Sequence, residues 1–137
     1  MALLLVLASV AVVGCVPRSS AELPTLGIDN WTTLAVTVTV NGSRIDIVAP
    51  GTQRWIEPGK LPTMPWNVQA LSPIGRVLLE LEVAADSVAE TTRPDGGVSI
   101  RGAGKRVDLS CGRLDVYAGP PMLGPMPGPG VPGDCEP

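Results

Sequence analysis

Histidine and phenylalanine are both absent from the 137 residues, and aromatic side chains make up only 3% of them. Without imidazole there is no ordinary Ser–His–Asp triad and no Cys–His nucleophile pair, and the commonest zinc ligand is missing. Three cysteines are present, none in a CxxC arrangement, so a cysteine-held metal is not expected either. Excess positive charge is also lacking. Thirteen acidic residues against ten basic ones give a net charge of −3, which argues against nucleic acid as a partner, because neutralising phosphates needs clustered cations. Lysine occurs only at positions 60 and 105, against eight arginines. With the wealth of Gly, Pro, Ala and Val, this is a codon signature of a GC-rich genome rather than a functional signal. No apolar run reaches the ~20 residues that span a bilayer as a helix.

One shorter run is present. Leu3 to Val13 is apolar and leads through Gly14 to Cys15, within the length of a signal-peptide core. Val12-Val13-Gly14-Cys15 resembles the lipobox of bacterial lipoproteins, in which the precursor is cut before a cysteine that then carries lipid. The resemblance implies a signal peptide over 1–14, lipidation at Cys15, a tether over 15–24, and a domain held at the cell membrane outside the cytoplasm. No Lys or Arg precedes Leu3, where signal peptides carry positive charge, so a start codon further upstream fits the pattern. Cleavage near Ala21, with simple secretion, is the alternative. A eukaryotic secreted protein would also offer Asn30-Trp31-Thr32 and Asn41-Gly42-Ser43 as glycosylation acceptors. On either export route Cys111 and Cys135 remain as an even pair in an oxidising compartment, and a disulfide between them is expected.

The period-two pattern then dominates. Leu34, Val36, Val38 and Val40 alternate with Ala35, Thr37 and Thr39, and Asn41-Gly42 follows as a hairpin turn. A two-residue loop predicts Val38 opposite Ile45 and Val36 opposite Ile47 on the inner face. Ser72-Pro73-Ile74-Gly75 suits a type I turn and predicts a second hairpin, with Trp66 opposite Leu81, Val68 opposite Leu79 and Ala70 opposite Val77. Thr52 to Glu57 reads as a short strand. The prolines of Leu61-Pro62-Thr63-Met64-Pro65 exclude a helix after it. The polar segment from Ala84 to Gly97 is given one helical turn near Asp86 to Glu90. Short strands follow at Val98–Arg101, Arg106–Ser110 and Arg113–Tyr117.

Short strands separated by Gly and Pro predict an antiparallel β-sandwich over 25–118, immunoglobulin-like, with about seven strands, followed by a Pro/Gly-rich tail over 119–137. The stretch from Val38 to Val83, through Val40-Asn41-Gly42, Pro50-Gly51, Leu61-Pro62, Pro65-Trp66 and Gly75-Arg76, resembles small exported bacterial proteins of uncharacterised function. That resemblance implies no catalytic residues.

Few residues are candidates for chemistry. A hairpin turned at Cys111-Gly112 would set Asp108 opposite Asp115, a carboxylate pair able to hold a hard cation or to support hydrolysis. Like charges directly opposite are unfavourable, however, and solvated strand carboxylates are commoner. Trp66 is assigned to the core. Trp31 and Trp55 are either further core residues or exposed indoles that stack on sugar rings or bind protein. Arg101, Lys105, Arg106 and Arg113 form a cationic group, either protecting an edge strand or contacting anionic lipid or wall polymer. The expectation is a non-enzymatic envelope lipoprotein with no cofactor. It would be joined to the membrane by its lipid and would bind an envelope protein or polysaccharide.

Overall fold

In the computed structural model, which describes residues 24–131 and Cys135, the alternation becomes ten strands. They are β1 (Leu26–Asn30), β2 (Val36–Val40), β3 (Ser43–Val48), β4 (Thr52–Ile56), β5 (Trp66–Leu71), β6 (Val77–Val83), β7 (Ala89–Thr92), β8 (Val98–Arg101), β9 (Ala103–Leu109) and β10 (Gly112–Ala118). Two antiparallel four-stranded sheets, ordered β4-β1-β10-β9 and β3-β2-β5-β6, enclose the core, and β7-β8 forms a separate ribbon. Val36, Val38, Val40, Val68 and Trp66 from the second sheet meet Leu26, Ile28, Leu114 and Val116 from the first. The architecture is the expected two-sheet sandwich, with ten strands in place of seven. The first strand of an immunoglobulin sheet lies beside the second, whereas here β1 lies between β4 and β10. The lipobox-like segment, Cys15 included, lies outside the described residues.

The two hairpins form with altered registers. Asn41 (φ 51°) and Gly42 (φ 79°) take the left-handed backbone of a type I′ turn. Thr39 faces Arg44 as expected, but a bulge then inserts Ile45, so that Val38 faces Asp46 and Thr37 faces Ile47. One inserted residue reverses the faces beyond it. Ile47 is therefore turned to solvent at 49% exposure, and Val48 enters the core in its place. In the second hairpin the Gly75 amide donates to the Ser72 carbonyl at 2.9 Å, which closes the expected turn. Gly75 itself has φ 87°, and Ser72 pairs with Arg76, giving a three-residue loop. A bulge at Ala70/Leu71 completes a two-residue shift, and Trp66 lies across from Val83, Val68 from Leu81 and Ala70 from Leu79. A shift of two keeps every inward residue inward, and Trp66 is 2% exposed with its indole N–H on the Pro62 carbonyl at 2.8 Å.

Two elements differ from expectation outright. β1 is a strand whose pattern the sequence hides, because Asp29 and Asn30 are both buried in it. The helical turn expected over Asp86–Glu90 is instead a tight turn, Ser87 N–H to Ala84 carbonyl at 3.0 Å, leading into β7. Thr91 and Thr92 pair there with Ser99 and Val98, as β-branched residues favour.

The tail is fastened along the outside of β9 and β10. Met122 rests on Gly104, the Pro125 carbonyl accepts from Arg113 at 3.0 Å, and the Val131 amide reaches the Ser110 carbonyl. Cys135 is bonded to Cys111 with Cα atoms 5.3 Å apart, as the cysteine count predicted.

Candidate functional site

The outer face of the first sheet carries most of the candidate residues, arranged in rows by its register. One row crosses Trp55, Gly27, Tyr117 and Gly104, and the next crosses Gln53, Asp29, Asp115 and Arg106. Tyr117 lies flat over Gly27, where its ring fills the space a Cβ would need. Its hydroxyl donates to Asp29 Oδ1 at 3.2 Å, and Trp55 lies across from Gly27 on the other side. Burial, reinforced by the negative Asp29 beside it, pushes the phenol up to about 12. Burial also raises Asp29 above the usual carboxylate range, against the pull of the Tyr117 hydrogen bond.

Asp108 and Asp115 are not paired with each other. The turn falls at Ser110-Cys111 rather than Cys111-Gly112, which sets Arg113 opposite Asp108 and Arg106 opposite Asp115. Arg106 holds Asp115 through two hydrogen bonds of 2.8 and 2.7 Å, and Arg113 Nε meets Asp108 at 2.7 Å. The Asp115 hydrogen bond raises Arg106 further above its ordinary pKa. Opposite charges thus face each other across β9 and β10, so the expected Asp108–Asp115 pair does not form, and the carboxylate that lies across from Asp115 is Asp29 of β1. Among the described residues no group of three potential ligands could hold a metal ion.

The four cations do not form one patch. Arg106 and Arg113 are engaged as above, and Arg101 donates to the Asp86 carbonyl at 3.2 Å at the ribbon. Lys105 borders a shallow crevice with Glu80, Leu81 and Glu82. There, hydrogen bonds from Asn67 and Gln69, with a smaller pull from Lys105, hold the Glu80 carboxyl below its usual range.

The tryptophans part company. Trp31, just beyond β1, is half-buried, and its amide donates to the Arg113 carbonyl at 2.9 Å. Trp55 is 51% exposed and borders a crevice of about 270 Å³ with Ile45, Asp46, Arg54, Ile56 and Lys60. The sequence reading passed over Arg54 and Lys60. Adjacency of Arg54 to Trp55 was the available signal, whereas Lys60 reaches the site only through the 3₁₀ turn Pro58–Lys60 that ends β4.

Asn30, one of the two possible glycan acceptors, is fully buried. Its amide donates to the Leu34, Val48 and Ala49 carbonyls, and its Oδ1 accepts from Thr32. A glycan there is incompatible with this fold. Asn41 is exposed.

No protein-family model matches the chain. Neither a curated protein nor a solved structure matches it.

Proposed function

We propose that the protein is a membrane-anchored lipoprotein working outside the cytoplasm, and that its sandwich binds or scaffolds without catalysis. The observation that carries this reading is the partition of the cysteines. Cys111 and Cys135 are joined, and the third cysteine of the sequence, Cys15, stands at the end of an apolar run in a lipobox-like context. A disulfide that clasps a tail belongs to an oxidising compartment, which supports export. Asp108 and Asp115 each meet an arginine rather than each other, which favours the binding reading over the hydrolase built on that pair. Cys15→Ser should move the protein from the membrane to the soluble fraction, and mass spectrometry of the wild type should find lipid on Cys15. Unchanged fractionation with an unmodified Cys15 refutes the anchor.

A second reading, a carbohydrate-binding module using Trp31 and Trp55, is favoured by one observation at Trp55 alone. Half of that indole is exposed beside a polar crevice.

A further inference from the structure

We propose that the crevice beside Trp55 is a subsite for one acidic sugar residue, such as a uronic acid in an anionic polysaccharide. The proposal rests on the binding-module reading and gives it a ligand class. Trp66 and Tyr117, the other large aromatics that could be exposed at the sheets, are both buried, so the exposure of Trp55 is local to this place. Trp55 pairs across the strand with Gly27, on which Tyr117 is seated, and Tyr117 is hydrogen-bonded to Asp29. Trp55 thus stands beside a packed row of the sheet, half exposed, and borders the crevice. An indole has only two side-chain torsions to order on binding, and the apolar C–H face of a pyranose stacks on it.

The charges around the ring select among sugars. Asp46 is already engaged, with Oδ1 accepting the Ile47 amide at 2.8 Å and Oδ2 3.3 Å from Arg54 Nε. Lys60, also in the lining, makes no ion pair among the described residues. The crevice thus holds two cations against one anion whose oxygens are occupied, an excess of one positive charge. A carboxylate on the stacked ring would meet Lys60 and the outer edge of Arg54. At about 270 Å³ the crevice is smaller than sites for drug-sized ligands, which fits one ring of a chain that continues into solvent. A protein hot spot would instead need apolar surface, and Ile56 of the lining is buried in the core.

Calorimetric titration of the purified full chain with tetragalacturonate, and with neutral cellotetraose, tests the proposal. Tetragalacturonate should bind, more weakly as salt rises, and cellotetraose should bind at least about tenfold more weakly. Trp55→Ala should abolish binding and Trp55→Phe should retain part of it. Lys60→Gln, an exposed change that leaves the core alone, should weaken tetragalacturonate about tenfold without altering cellotetraose. Trp31→Ala should leave binding unchanged. Equal binding of both sugars, or indifference to Lys60→Gln, overturns the acidic specificity. Binding of neither sugar by a folded chain overturns the subsite, while membrane release by Cys15→Ser would still stand as separate support for the anchored reading.

Discussion

Tyr117 and Asp29 show how burial sets the chemistry of single residues. Tyr117 is 1% exposed, so removing its proton would place a phenolate beside a carboxylate under the sheet's cover. Its folded-state pKa, about 12, lies above the ordinary 10.0, so its contribution to stability is complete below pH 10 and is lost between pH 10 and 12. Because this is the only tyrosine in the chain, tyrosinate absorbance reports it alone. The titration midpoint should stand near 12 in the folded protein and return to about 10 in denaturant. A midpoint near 10 in both states would contradict the buried geometry. Asp29 carries the same sign in the acidic range. Its folded pKa is raised above 3.8, so the stability it contributes is present below that value and is lost as pH climbs through the folded pKa. Asp29→Asn keeps an oxygen to accept from Tyr117 and buries no charge. The variant should melt above the wild type at pH 7, and the difference should vanish near pH 3. Asp115, Arg106, Gln53 and Tyr117, the groups facing position 29, are the same in both proteins.

The elements themselves show which signals survive folding and which do not. Val38→Ala should cost on the order of 1–3 kcal/mol by leaving a cavity, whereas Ile47→Thr, beyond the bulge and turned to solvent, should be nearly neutral in a denaturant melt. Had the simple two-residue register held, both would be costly. The turns at Asn41-Gly42 and Ser72–Gly75 were legible because their residues fit a particular backbone, and the alternation of β2 and β5 was legible because one face is packed. The bulges were not. A bulge is decided by contacts across the sandwich, such as the Val48 carbonyl that Asn30 claims at 3.0 Å, and no local pattern records that need. β1 was hidden for a related reason, since Asp29 and Asn30 read as loop residues until their buried partners are known. For the site, Trp55 was legible as a candidate, but its separation from Trp31 in exposure was not, because Tyr117 and Gly27 meet Trp55 only through strand pairing. The bulges also align Ile47, Thr37, Leu71 and Val77 in one transverse row on the outside of the second sheet.

At the scale of the molecule, the tail acts as a strap across one sheet, with the disulfide as its clasp. Cys111→Ser/Cys135→Ser should lower stability by about 3 kcal/mol in the chain-entropy model, read as a shift in the denaturation midpoint. Less is expected if Met122 and Pro125 hold the strap unaided. Limited proteolysis should then cut the double variant within 119–131 before it attacks the sandwich, while the wild type resists there. Equal protease resistance would show that packing, not the bond, fastens the strap.

The clasp has a mechanical consequence. β1 is entered at Leu26, which pairs with Ala118 at the far end of β10 from Cys111. Were the tail unfastened, tension between the two ends of the chain would act on Leu26 and Ala118 at the same end of that ladder, and the strands would unzip one pair at a time. Through the disulfide, the same tension enters β10 from the Cys111 end and β1 from the Leu26 end. The two strands are then loaded in shear, and the five pairs from Leu26–Ala118 to Asn30–Leu114 must yield together. In single-molecule pulling between the N-terminal end of the chain and Cys135, the oxidised chain should rupture at a markedly higher force than the reduced one.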